Sequence, residues 1–475
     1  MPSLTLVSRL RSFSIALTFV TTGACNQDPQ QDILQEAPPP EELPPRPLPP
    51  PEGETFEEMK LRFEGEKPDV MATQLALLKE RYDLRDDPSA VEMTRGKPVQ
   101  KGVRVRLPDG MTWEELGALG PQEIKAMDVF PAGFLPLPHP RQAEGGMLFP
   151  KPHIDELLEQ TGRDLERFDL DFDLPEHVMP EFPPAIFLTT RPDLGDVSQG
   201  ELVTSHNFYR LFKGILNPKQ LDGLRLLVVP FAQQQFNLID DRRSADPSLG
   251  VTCFDCHANG HTNGATHLVG DIRSQEFRNR IETPSLRGVN IQRLYGSQHA
   301  LMTIEDFTEF EQRAAYFDGD IDKAALKGVN TLDRATQVHH MAEVQRLLDF
   351  PPAPKLDVFG KLNDSASAAE LAGEALFFGK AQCSVCHTPP YFTDNTMHDL
   401  ELERFFSQKV INGLVADGDG PIKTFPLRGI KESPPYFHDG RLLTLEDTIE
   451  FFNLVLQLYL TAPEKADLLA YLLVL

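Results

Sequence analysis

Apolar and polar positions recur at helical spacing over several stretches of the chain. From Phe56 to Leu84 (FEEMKLRFE, MATQLALLKERYDL) apolar side chains return every three or four residues between acidic and basic ones, which predicts a helix. Lys101 to Leu107 changes period. Val103, Val105 and Leu107 alternate with Arg104 and Arg106 and run into Pro108-Asp109-Gly110, a strand entering a turn. Thr112 then stands as a helix cap, with Glu115 at the capping-box spacing. Ile154 to Glu166 and Pro218 to Val228 read as helices, and the prolines crowded into 131–152 and 175–192 predict long surface loops. The closing segment, Ala462 to Leu475, sets Leu468, Leu472 and Leu475 at helical spacing.

Beyond residue 250 the pattern occurs twice. Pro284-Ser285-Leu286-Arg287-Gly288-Val289 corresponds to Phe425-Pro426-Leu427-Arg428-Gly429-Ile430 at an offset of 141. The same offset takes Tyr295 to Tyr436, and Met302-Thr303-Ile304-Glu305-Asp306 to Leu443-Thr444-Leu445-Glu446-Asp447. Thr303 and Thr444 are the expected N-caps of the helices that follow. The duplicated pattern predicts two related helical domains.

Charge and cysteine usage narrow the picture. The formal net charge is -25, which argues against nucleic-acid binding and favours a cationic partner or a well-solvated surface. Residues 1–25 read as an export signal: Arg9 and Arg11, an apolar core from Phe13 to Val20, and a small-residue exit at Gly23-Ala24. Thr22-Gly23-Ala24-Cys25 loosely resembles a lipoprotein processing site, with Thr22 where an aliphatic residue is usual. Two outcomes stand open, a lipid-anchored mature chain beginning at Cys25 and a cysteine discarded with the signal. Residues 26–53 are polar and then proline-rich, a semi-rigid extended spacer.

The other four of the five cysteines lie in Cys253-Phe254-Asp255-Cys256-His257 and Cys383-Ser384-Val385-Cys386-His387, at an offset of 130. Each is C-x-x-C-H, the attachment signature of a c-type haem. Two thiols add to the two vinyl groups of one haem, and the following histidine offers its imidazole to the iron. The alternatives are a four-thiolate zinc site and a pair of redox dithiols. Neither requires a histidine after both pairs. A haem would also supply core that short helices cannot build alone. Histidines 139, 153, 177 and 206 are scattered without a ligand pattern and read as structural or solvated.

Around the motifs the chain resembles a known group. Leu376-Phe377-Phe378-Gly379 precedes the second motif, Pro390-Tyr391-Phe392-Thr393-Asp394-Asn395 follows it, and Pro435-Tyr436-Phe437-His438-Asp439-Gly440-Arg441 comes later. These segments resemble the bacterial diheme cytochrome c peroxidase superfamily, which includes MauG-type protein-modifying enzymes. The resemblance is dense over 370–475 and thinner over 230–345. It implies a mainly α chain with two cytochrome c-like helical haem domains, 231–366 and 367–475, behind an accessory region of mixed structure (54–230). That region either wraps the haem domains or is structural padding.

The resemblance also implies roles. His257 becomes the proximal ligand of a peroxidatic haem and His387 that of an electron-transfer haem, with Cys253, Cys256, Cys383 and Cys386 as attachment points and Arg287 and Arg428 as cofactor contacts. His261 and His267 are the candidates for the distal side of the first haem, against a structural reading of each. His267 is also the scaffold counterpart of His398. For the acid–base carboxylate the zone TIEDFTEFEQRAAYFDGD offers Glu309, Glu311 and Asp318, of which Glu311 is preferred. Two departures stand out. Where the family has a Trp-Asp-Gly-Arg segment between the haems, this chain has Ser297-Gln298-His299-Ala300, and its single tryptophan is Trp113. Tyr295 and His299 are then the nearest relay residues. The position expected to ligate the second iron is Phe452, leaving Met397 and Tyr459 as candidates.

Three readings follow. One is a periplasmic peroxidase that reduces hydrogen peroxide with electrons from a small cytochrome c or copper protein. Another is a MauG-like oxidase acting on a protein or organic substrate through high-valent haems. The third is a diheme electron carrier without catalysis. A structural calcium between the domains, a lipid anchor and a homodimer complete the expectations.

Overall fold

The computed structural model describes residues 56–84, 88–100, 107–120, 123, 126–127, 147–165, 174–230, 252–268, 280–311, 334–400, 410–411, 414–415 and 421–475. Among these the chain is mainly helical, and its sheets are small, open and of two or three strands. A long helix, Phe56–Arg81, is followed by the antiparallel pair Pro88–Glu92 and Pro98–Gln100. The strand expected at 101–107 falls, but for Leu107, outside the described residues. Thr112 caps the short helix Trp113–Gly117, accepting from Glu115 N while the Glu115 carboxylate accepts from Thr112 N. The helix expected at Ile154–Glu166 instead spans Lys151–Thr161. Pro152 sits in its first turn, where a missing N–H costs nothing, and Gly162 ends it in the left-handed conformation, φ 68°. No helix among the described residues is long and apolar enough to cross a membrane.

The repeat read from the sequence is a repeat in space. His267 pairs with Ile281 in one antiparallel ladder, and His398 pairs with Ile422 in another. Thr283 N donates to Ala265 O, and Thr424 N to Thr396 O, both at 2.9 Å. Gly288 and Gly429 turn the chain at φ 69° and 71°, where no space for a Cβ remains against Phe350 and Pro351 respectively. Tyr295 bridges Leu301, and Tyr436 bridges Leu442. Thr303 and Thr444 then cap the helices Ile304–Phe310 and Leu445–Val455.

A second correspondence is less visible in the sequence. The helix Pro218–Val228 crosses Arg334–Gln345, and Ala368–Phe378 crosses Ala462–Leu472. At each crossing a glycine lets the backbones touch. A Cβ on Gly223 would lie 2.0 Å from His340 O, and one on Gly373 2.0 Å from Asp467 O. By packing, the helix Pro218–Val228 therefore stands to the first copy as Ala368–Phe378 stands to the second.

The copies also complete each other. Glu282 N donates to His438 O at 2.9 Å, and its counterpart Lys423 N donates to Ser297 O at 2.8 Å. The two bonds are related by the same 141-residue offset, so each copy's strand closes on the other copy's turn.

Residues 53–475 make one compact unit, with more than one apolar core. A carboxy-terminal core gathers Phe377, Phe392, Phe451, Leu468 and Tyr471, and receives Leu78, Tyr82, Met93 and Leu116 from the accessory region. A second core joins Ile186, Phe212 and Leu227 to Phe254, Met341 and Leu348. A third packs Phe149, Ile154 and Leu157 against Ala258, Ala265 and Cys256. The accessory region thus contributes side chains to the cores on both sides of the repeat.

Candidate functional site

The first motif begins as one helical turn, Cys253–Cys256. Asp255 holds the turn from within, accepting from Thr252 N at 2.7 Å. It is itself held from outside by Arg163 of the accessory region, whose two terminal nitrogens reach its two oxygens at 2.9 and 2.5 Å. Such a bidentate pair fixes orientation as well as charge. Asn259, at φ 50°, then pins the chain leaving the motif: it accepts from Val203 N and donates to Pro184 O and Glu201 O.

Between these anchors His257 is half-buried and oriented. Its Nδ1–H donates to Pro284 O at 2.8 Å, and burial pushes its pKa down to about 4. A neutral imidazole that donates through Nδ1 keeps an open lone pair on Nε2, which is what an iron ligand needs. His387 repeats the arrangement. Its Nδ1 donates to Phe392 O at 2.9 Å, and the Phe425 carbonyl, counterpart of Pro284, also engages it. Phe392 takes φ 61° to present that carbonyl, and its ring is locked against Phe377 and Tyr471.

The thiols discriminate among the alternatives. Burial pushes Cys253 and Cys383 up to about 12, and Cys256 well above its ordinary value. A redox dithiol needs the opposite shift. A four-thiolate zinc site needs four sulfurs converging on one point. Cys253, Cys256 and Cys383 instead pack against three separate cores. Among the described residues no group of three or more His, Cys, Asp or Glu side chains is arranged to hold a metal ion. The calcium expected between domains therefore rests on the resemblance alone. Two half-buried, carbonyl-oriented histidines, each at the end of its own cysteine pair, fit a c-type haem apiece.

Arg287 sits in a buried network that joins the copies. It pairs with Glu432 at 2.8 Å and donates to Ala185 O at 2.6 Å. Its Nε is buried without a hydrogen-bond partner among the described residues, a donor left for a bound group. Glu432 also accepts from Thr94 N at 2.9 Å and from the Thr94 hydroxyl. Arg428, the counterpart of Arg287, donates to Leu475 O and Pro351 O and lies over the Phe350 ring, with burial lowering its pKa.

The remaining candidates divide. His261 is buried with both nitrogens engaged, Nε2 at 2.8 Å from Glu432 O and Nδ1 at 2.7 Å from Ser285 Oγ. A ring that donates at one nitrogen and accepts at the other has no lone pair for iron, which supports its structural reading. His267 occupies the strand position of His398, and its side chain lies outside the described residues. Glu311 follows directly on the helix Ile304–Phe310, and its charge acts on both Cys253 and Cys256. Asp318 and His139 lie outside the described residues. Tyr295 is half-buried, its single hydroxyl proton shared between Val289 O and Gln292 O at 3.3 and 3.2 Å, with Lys423 Nζ 5.5 Å from the ring centre. Phe452 belongs to a ring cluster with Phe437 and Phe451. Met397 and Tyr459 are exposed at 39% and 57%. His206 stands near the surface, whereas His153 is wholly buried between Phe149 and Phe182.

Sequence reasoning passed over Arg163, Glu432, Thr94 and Lys423. For Glu432 and Lys423 the repeat offset held the signal. A charged residue replaces Ile291 in one case, and charge changes sign from Glu282 in the other. Nothing in the sequence couples Arg163 to Asp255 or Thr94 to Glu432.

Comparison with known proteins gives partial matches. No family profile matches the chain. The methylamine utilization protein MauG of Methylorubrum extorquens is 34% identical over 122 residues, 24% of this chain and 33% of that protein. The match thus spans about a third of that relative's length. The cytochrome-c peroxidase IdrP2 of Pseudomonas sp. (strain SCT) is 25% identical over 295 residues, 50% of this chain and 78% of that protein. A crystal structure of a MauG-like protein associated with microbial copper homeostasis aligns over 64% of this chain and 94% of that one. It does so at 20% identity and a TM-score of 0.36, too low to carry an argument.

Proposed function

Sequence similarity ties this chain to the MauG and diheme cytochrome c peroxidase superfamily, and from that premise we propose a diheme c-type redox enzyme, a peroxidase reducing hydrogen peroxide to water. The observation that carries the reading is the matched pair of half-buried histidines, His257 and His387, each oriented through Nδ1 by a backbone carbonyl. Each would ligate one iron through Nε2, with Cys253 and Cys256, or Cys383 and Cys386, as thioether anchors. Bound haems supply the electron transfer. Arg287 Nε and Arg428 are the side chains offered to the cofactors.

The chain's own chemistry is proton handling. Hydrogen peroxide, two electrons and two protons give two water molecules. Glu311 would take the proton from one peroxide oxygen and return it to the departing one, the exchange a positioned carboxylate performs. Its half-buried place directly after the helix Ile304–Phe310 supports this role over that of a solvated face. Electrons would enter at the second haem from a small, basic periplasmic cytochrome or copper protein, drawn by the chain's net negative charge. Export by residues 1–25, a lipid anchor at Cys25, a homodimer, and Met397 or Tyr459 as sixth ligand to the second iron belong to the same proposal.

A second reading, an oxidase of a protein or organic substrate, draws on Tyr295 standing where no tryptophan relay is available. Peroxide titration of the haem-loaded chain separates the readings. Rapid turnover of a reduced donor with one high-spin haem is the expected result, abolished in E311Q. An oxidised form that persists without donor turnover would favour the oxidase. Inertness to peroxide would leave an electron carrier.

A further inference from the structure

Positions 282 and 423 are counterparts in the two copies (423 − 282 = 141). Each stands two residues before the carbonyl that faces a motif histidine, Pro284 O at His257 and Phe425 O at His387. Their backbones do the same work, closing on His438 O and Ser297 O respectively. Their side chains are opposite in charge type. Glu282 is buried and accepts from the Thr262 hydroxyl at 2.9 Å, and burial raises its pKa. Lys423 is 3% exposed, and its Nζ donates to Gln292 Oε1 at 2.7 Å and Leu294 O at 2.8 Å. The rings of Tyr295 and Phe425 lie 5.5 and 5.6 Å from that nitrogen. Among the described residues no carboxylate pairs with it.

An ammonium buried without a counter-ion is costly, and such groups are retained for a purpose more often than for stability. A nearby positive charge stabilises the reduced form of a redox centre, which carries one electron more. We propose that Lys423 sets the potential of the second haem, holding it above the value an uncharged side chain would allow, whereas the first copy, with Glu282 at the equivalent place, has no such charge. The duplicated scaffold is thereby polarised, and electrons arriving from a donor find the second haem easier to reduce. The inference rests on the diheme reading.

The test uses the full haem-loaded chain. Haem content is measured first, and fewer than two covalent haems per chain would defeat the diheme reading whatever Lys423 does. Spectroelectrochemical titration of wild type, K423R, K423Q and E282Q then addresses the inference. The K423Q change is expected to lower the second haem's reduced-to-oxidised ratio at fixed potential about tenfold, as for one charge at about 10 Å and an effective dielectric near 20. The first haem should stay unmoved, and K423R and E282Q should keep the wild-type potential of the second. An unmoved second haem in K423Q, or an equal drop in K423R and K423Q, overturns the proposal. Should K423Q fail to assemble, K423M, which keeps the apolar stem without the charge, is titrated in its place and should show the same fall, and an unmoved second haem there overturns the proposal.

Discussion

Glu432 offers the sharpest test of how the copies are joined. Its carboxylate neutralises Arg287 at 2.8 Å, both side chains only 5% exposed, and accepts from Thr94 as well. Replacing Glu432 by Gln keeps the volume and some hydrogen bonding but leaves a guanidinium buried without its counter-charge. Breaking one side of such a pair costs about 3–5 kcal/mol. The conservative amide should fall near the lower end, about 3 kcal/mol. Replacing both partners by methionine removes the stranded charge, so R287M/E432M should be more stable than E432Q despite carrying two changes. Guanidinium denaturation of the haem-loaded chain, followed by far-ultraviolet circular dichroism, reads both quantities as shifts in the unfolding midpoint. An E432Q protein within about 1 kcal/mol of wild type, or a double variant no better than the single one, would refute the assignment of Arg287 and Glu432 as a desolvated pair.

Three further outcomes follow from the same structure. G223A and G373A each drive a methyl group into the backbone of the facing helix, and should lower the unfolding free energy by about 1–3 kcal/mol; an unchanged unfolding midpoint for either would mean that the crossing is looser than described. H261L strands the Glu432 carbonyl and Ser285, so it should cost about 1–3 kcal/mol with an unaltered absorption spectrum of the first haem; a changed spectrum would restore His261 as a distal residue. His153 is lowered to about 4 by burial, below its unfolded value of about 6.5. The stability it contributes is complete above about pH 6.5 and is lost as pH falls through 4, up to about 3 kcal/mol. H153L should flatten the stability–pH curve in that window, and an unchanged slope would contradict the assignment.

The elements that were legible in the sequence are those whose cause is local. Thr112, Thr303 and Thr444 cap where their spacing said they would, because a cap and its N3 partner lie within one turn. The repeat was equally readable, since a duplicated register survives in one dimension. Gly162 shows a local signal overlooked, a left-handed terminator that cut the helix expected to reach Glu166. The long-range partners were a different matter. Arg163 on Asp255 and Glu432 on Arg287 join residues 92 and 145 positions apart. No periodicity encodes such distances. His261 was open to two roles in the sequence, and its hydrogen-bond partners, unknowable there, supplied the distinction.

The reciprocal closure of the two copies bears on how such a chain can arise. A strand whose Glu282 reaches His438, and whose counterpart Lys423 reaches Ser297, is an edge that fits its own twin. The two bonds exchange under the repeat offset, as bonds between two equal copies would. Joining them end to end changes stoichiometry without creating the contact. Once joined, the copies no longer need to be identical, and one carries an acid where the other carries a base.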